Sequence, residues 1–219
     1  MAATTSHPSP ERSFVPGLGR LALTPFYDLV HRLVRLGGVH AEMIRLADPQ
    51  PGQRVLDVGC GTGNLLLALG RARPGVDLAG IDPDLAALAR AQRKAARAGT
   101  VVRWDRGFAE ELPHPDGSVD RVVSSLMLHH LDPVGKTALL AEVRRVLRPD
   151  GLLVLADVDG NGAGHGRFLQ RRTAASERVR HQTDIPGLIA AAGLHPEPAV
   201  VHDLRLGRIS IIRARRARD

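Results

Sequence analysis

The stretch Val55-Leu56-Asp57-Val58-Gly59-Cys60-Gly61-Thr62-Gly63 constrains this chain more than any other. A short apolar strand ends at an acid, passes through three alternate glycines and enters a segment with helical apolar spacing at 64–72. Glycines allow a tight turn and let a ligand approach where a Cβ would stand. The helix behind them presents free N–H groups and a positive dipole end, suited to a carboxylate or phosphate. A bare turn is the competing reading, but three alternate glycines after an acid are more than a turn requires.

Strand and helix patterns alternate after this motif. Strands are expected at 54–58, 76–81, 100–104, 119–124 and 152–158, and helices at 64–72, 84–98 and 136–147. Gly99 should cap the second of these helices, and Pro149-Asp150-Gly151 should turn the third into its strand. Such alternation predicts a parallel sheet covered on both faces. A helix at 185–192 follows, and runs at 199–206 and 208–212 flank Gly207 as a hairpin. The expected fold is α/β, a Rossmann-like doubly wound sheet of seven strands, mostly parallel with one antiparallel strand near the C-terminus. Upstream, Phe26, Leu29, Val30, Leu33, Val34 and Leu36 mark an amphipathic helix, broken at Gly37-Gly38 and resumed through Met43, Ile44 and Leu46. Residues 1–20 read as a flexible tail and 21–219 as one domain. Within it, 21–47 are N-terminal helices, 52–158 a ligand-binding core, 159–184 an insert or lid, and 185–219 a helix and terminal hairpin.

Composition narrows the function classes. A chain of 219 residues with 43% hydrophobic and 24% charged residues suits one soluble globular domain. No apolar run approaches the roughly 20 residues of a membrane span, and the start lacks a secretory plan. The only cysteine, Cys60, suits a reducing compartment, so a cytoplasmic location is expected. A net charge of +7 could suggest a polyanion partner. However, Lys94 and Lys136 are the only lysines among 30 basic residues, which reads as the coding bias of a GC-rich genome. The arginines are scattered apart from Arg213, Arg215, Arg216 and Arg218, with no aromatic-rich basic patch, so nucleic acid is not an expected partner.

Dinucleotide enzymes use G-x-G-x-x-G, whereas here the glycines fall at 59, 61 and 63 and Asn64 follows. The chain resembles class I S-adenosylmethionine-dependent methyltransferases, whose first motif is D/E-x-G-x-G-x-G. The resemblance runs from about residue 24 to 158 and is greatest to the branch of quinone-biosynthesis and small-molecule methyltransferases. Phe26-Tyr27-Asp28-Leu29-Val30 is similar to that branch's N-terminal helix. The resemblance implies S-adenosyl-L-methionine as cofactor, held by Asp57, Gly59, Cys60, Gly61, Thr62 and Gly63. Asp82, followed by Pro83, would accept hydrogen bonds from the ribose hydroxyls, with helix capping as its alternative role. Relatives have G-D-A-E-x-L-P where this chain has Gly107-Phe108-Ala109-Glu110-Glu111-Leu112-Pro113. Phe108 thus replaces the acid that meets adenine; its ring covers the base or joins the core, and Ala109 N–H would read the ring.

The same resemblance places Ser125 beside the methionine part of the cofactor. His129 and His130 are the candidates for a general base near neutral pH; their other reading is hydrogen bonding that closes the pocket. Neither has metal-ligand spacing, and no metal is expected. The implied reaction is direct in-line displacement, in which the protein adds alignment and water exclusion. The acceptor would be a small or lipid-like molecule chosen by the N-terminal helices and the insert. That insert carries Arg167, Arg171, Arg172, Arg178 and Arg180, either on a lid or on the outer face of a solvated helix. An RNA methyltransferase and a non-catalytic cofactor-binding protein on the same fold are the alternatives, and a homodimer is an open option.

Overall fold

The computed structural model describes residues 36–158, 184–204 and 207–216. The tail and predicted helix before residue 36, and nearly all of the expected insert, lie outside the described residues. Helix α1 (Leu36–Ala47) buries Leu36, Val39, His40, Met43, Ile44 and Ala47, a stripe at three-and-four spacing. Gly37 and Gly38, where the sequence predicts a break, are helical within it. Both glycines are exposed with nothing near them. Each costs about 1 kcal/mol relative to alanine, and burial of the stripe outweighs that.

The chain continues through β1 (Arg54–Val58), α2 (Asn64–Ala72), β2 (Asp77–Asp82), α3 (Leu85–Ala98), β3 (Arg103–Arg106) and β4 (Val119–Ser125). A 3-10 turn (Leu128–His130), α4 (Pro133–Val146), β5 (Leu147–Val158), α5 (Ile185–Ala191), β6 (Leu194–Pro196), β7 (Val200–Leu204) and β8 (Gly207–Arg216) follow. The sheet order is β3-β2-β1-β4-β5-β8-β6, with β7 also on β8. Strands β1 to β5 are parallel, and β8 runs antiparallel to β5 from Leu152↔Arg215 to Val158↔Ile209. The fold is the mostly parallel, Rossmann-like sheet that the alternation predicts, with one reversed strand.

Three details differ from the sequence reading. The third strand begins at Arg103, not residue 100, because Thr100 N–H still donates to Ala95 O (3.0 Å) as α3 ends on left-handed Gly99. Val101 is left 90% exposed, so the Val-Val pair that suggested a strand precedes it. The sheet has eight strands rather than seven, since β6 and β7 pair with successive stretches of β8 (Leu194↔Arg216, then Val200↔Ile211). β6 is three residues long and ends in proline; its partner defines it, not its own pattern. Finally, β5 is counted from Leu147, with a register shift between Val119 and Arg121 and Asp150 at φ 67.

Alternate residues of each strand feed two cores. Leu56, Val58, Ile81, Val122 and Leu153 meet Leu139, Leu140 and Val143 of α4 on one face. Val55, Leu78, Val123 and Val154 meet Met43 of α1, Leu66 of α2 and Leu88 of α3 on the other. Among the described residues no helix is long and apolar enough to cross a membrane.

Candidate active site

The sheet order turns outward in both directions between β1 and β4. At such a point the connections leave toward opposite faces, and a crevice opens beyond the carboxyl ends of the strands. The ends of β1, β2, β4 and β5 bring Asp57, Asp82, Ser125 and Asp157 to that edge.

The glycine turn crosses the end of β2: Gly59 N and Cys60 N both donate to Ile81 O, at 2.9 and 3.1 Å. Gly63 N closes the turn on Cys60 O (2.8 Å) and stands as the left-handed N-cap of α2, with no side-chain cap. The three glycines, all at positive φ, serve different ends. A Cβ on Gly59 would lie 2.3 Å from Met127 Cγ, and one on Gly63 would lie 2.7 Å from the Trp104 ring. A Cβ on Gly61 would meet nothing within 4 Å. Packing therefore requires the outer two, whereas Gly61 borders open space.

Two carboxylates sit beneath the turn. Asp82 Oδ2 accepts from Gly61 N at 2.8 Å and Oδ1 from Asp84 N at 2.9 Å. A carboxylate has about four lone-pair sites, so Asp82 keeps acceptor capacity. The N-cap of α3 is Asp84, which accepts from Ala86 N and Ala87 N. Asp57 is buried and its Oδ1 has no partner. Burial, reinforced by the Asp82 charge, pushes its carboxyl up to about 8. Burial also raises Asp82 from its ordinary value and pushes the buried Cys60 thiol well up. Thr62 is buried, and Lys94 of α3 donates to its backbone and hydroxyl oxygens.

Pro83 and Phe108 are half-buried. Ala109 packs against the α4-side core, and Phe108 joins neither core. The loop carrying them is tied to α4: Leu112 N donates to Glu142 (2.7 Å), and Arg145 donates to Leu112 O and His114 O. Ser125 Oγ is buried without a partner, whereas Ser124 Oγ donates to Val58 O at 2.8 Å. Leu126 has φ 57, a left-handed conformation costing about 1–2 kcal/mol outside glycine. This bend carries Met127 onto Gly59.

The two histidines differ sharply. His129 Nδ1 lies 2.7 Å from Asp157 Oδ1, and its backbone N–H donates to Oδ2 at 3.1 Å. His130, with its ring centroid 4.0 Å from that of His129, is pushed down to about 4 by burial and then by its neighbour. Sequence reasoning missed Asp157, Met127 and Lys94 as site residues. Asp157 had a signal: it is an acid ending the apolar run Leu152-Leu153-Val154-Leu155-Ala156.

Residues 55–151 match the methyltransferase domain family. Over this core, less than half of its 219 residues, the chain is similar to S-adenosylmethionine-dependent methyltransferases. It is 36% identical over 138 residues to the demethylmenaquinone methyltransferase of Thermus thermophilus, covering 62% of each chain. It therefore spans less than two thirds of that relative's length. It shares its fold with a SAM-dependent methyltransferase of Aquifex aeolicus (TM-score 0.67, 20% identity), covering 90% of this chain and 99% of that one. It also shares it with the [4+2]-cyclase SpnF (TM-score 0.66, 20% identity), covering 83% and 81%. S-adenosylmethionine fits the residues present: Gly61 leaves room, and Asp57 Oδ1 and Ser125 Oγ lack partners.

Proposed function

We propose that this chain transfers a methyl group from S-adenosylmethionine to a small or lipid-like acceptor by direct in-line displacement, with a quinone-type acceptor as the first candidate. The observation that carries the reading is the pairing of two buried acids, on neither of which any cation among the described residues acts. The groups acting on Asp57 are burial and Asp82; those on Asp82 are burial, two backbone N–H groups and Asp84. Two acids so placed, Asp57 ionising as a cation arrives, favour a ligand bearing ammonium and sulfonium charges over the pyrophosphate of a dinucleotide. Because a cyclase shares the fold, the site and not the fold supports methyl transfer. The quinone class rests on the name of the Thermus relative.

Bound there, the cofactor supplies an already activated methyl group, so the protein's tasks are holding, orienting and excluding water. Asp57, Gly61 and Ser125 would hold the methionyl portion, and Asp82 the ribose. Phe108, outside both cores, would lie along the adenine, with Ala109 N–H beside it. His129 would take a proton from the acceptor. With Nδ1 beside Asp157, Nε2 would be the nitrogen that accepts it, whereas His130 at about 4 is too weak for that role near neutral pH.

A thermal-shift titration tests the cofactor. Ligand at about a hundred times its Kd adds roughly 2.7 kcal/mol, or about 5–10 °C at this size. S-adenosylmethionine and S-adenosylhomocysteine should both raise Tm and NADH should not; a rise with NADH alone would reverse the reading. For the base, His129→Ala should lower kcat with reduced demethylmenaquinone about 10²- to 10⁴-fold and leave S-adenosylhomocysteine affinity near wild type. An unchanged kcat would return His129 to a purely structural role.

A further inference from the structure

We propose that Lys94 is a positioning residue for the cofactor turn, an ammonium clamp that holds residues 61–64 in their ligand-ready shape from the α3 side. This rests on the functional reading above. Lys94 is half-buried on α3, outside the glycine motif in sequence. Its Nζ donates to Thr62 O at 2.9 Å, to Thr62 Oγ1 at 3.3 Å and to Asn64 Oδ1. An ammonium has three donors, and these three acceptors all lie on the turn and the first residue of α2.

The turn needs such a tie. Gly59, Gly61 and Gly63 are the residues with the most backbone freedom to lose on ordering, and the turn's internal closure is Gly63 N to Cys60 O. Its first half is anchored by Ile81 O and by Asp82 Oδ2 on Gly61 N. Lys94 anchors its second half from the next helix. Together they fix the peptide planes on both sides of Gly61, the one glycine of the three whose Cβ direction is open.

The residue type carries the argument further. Arginine fills the basic positions of this chain except 94 and 136. A guanidinium directs its N–H groups in a planar fork, whereas an ammonium is a compact point with rotatable donors that can converge on oxygens of a single turn. Position 94 is therefore one where geometry, not charge alone, demands lysine.

Calorimetry on the full chain with S-adenosylhomocysteine decides the matter, together with amide exchange across residues 59–64. K94M should weaken binding about ten- to hundredfold, the range expected for hydrogen bonds to a charged group. K94R should recover less than half of that loss on a logarithmic scale. In both variants the turn amides should exchange faster without ligand and regain protection at saturation. If K94M does not fold, K94Q keeps a polar, uncharged side chain at the position and supplies the same comparison. A variant that melts earlier yet binds with wild-type affinity would show a role in stability only and overturn the proposal, as would wild-type affinity in K94R. Failure of the wild-type chain to bind would appear before any variant is made, and would overturn the functional reading and the clamp together.

Discussion

Replacing Gly61 by valine is expected to abolish binding of S-adenosylhomocysteine, with an affinity loss of at least about a hundredfold, while the chain still folds. Nothing lies within 4 Å of where its Cβ would stand, so the new side chain would project into the open space expected to hold the ligand. Its backbone sits at φ 51, which a branched residue adopts at a cost of about 1–2 kcal/mol. A loss of that size lowers Tm by a few degrees in a domain this large. Gly59→Ala and Gly63→Ala provide the contrast: their Cβ atoms would press on Met127 and Trp104 at 2.3 and 2.7 Å. Those variants should lose more stability than G61V and bind weakly because the turn has moved. Calorimetry with melting curves separates the two patterns. If G61V retains affinity within tenfold of wild type, the ligand does not pass over Gly61 and the site must be redrawn.

Cofactor affinity is also expected to rise with pH, by up to about tenfold per unit between pH 6 and 7.5, the slope for release of one proton. The source is Asp57, whose carboxyl stands at about 8 against an ordinary value of 3.8 because it is buried beside Asp82. Near neutrality it is mostly protonated. A cationic ligand beside its unpartnered Oδ1 favours the ionised form, so binding expels the proton. Above about 7.7 the ligand's own α-amino group loses charge and the gain levels off. Stability without ligand follows the opposite course. A folded-state value raised above the unfolded one means the folded chain binds more proton, so this contribution declines as pH rises from about 4 through 8. Asp57→Asn should flatten the affinity profile, weaken binding at pH 7.5, and melt higher than wild type at pH 9. Calorimetry in two buffers of different ionisation enthalpy reads the proton directly. A flat profile in wild type with no buffer dependence would mean Asp57 keeps one protonation state through binding and would overturn this expectation.

Much of this fold was legible in the order of the residues. The helix at 64–72 and the strand at 54–58 coincide with the observed α2 and β1, because apolar periodicity and glycine breaks are local properties of the chain. The reversed strand near the C-terminus was legible for the same reason. The tight turn at Gly59, Gly61 and Gly63 was legible in their alternate spacing. Misreadings fell where a distant partner decides. Gly37 and Gly38 look like breakers until the stripe around them is buried, and β6 is a strand only because β8 runs beside it.

The chemistry of the site divides along the same line. The sequence by itself determined the parallel sheet, the glycine turn and the acids at the ends of β1 and β2, since each follows from neighbours a few residues away. Tertiary structure decided which glycine borders open space, that Asp57 Oδ1 is left without a partner, and that Asp157 meets His129 from 28 residues along the chain. It also brought Lys94 to the turn from 32 residues beyond Thr62. Burial, dielectric and hydrogen-bond geometry arise only when the strand ends converge, and no spacing within the chain encodes them.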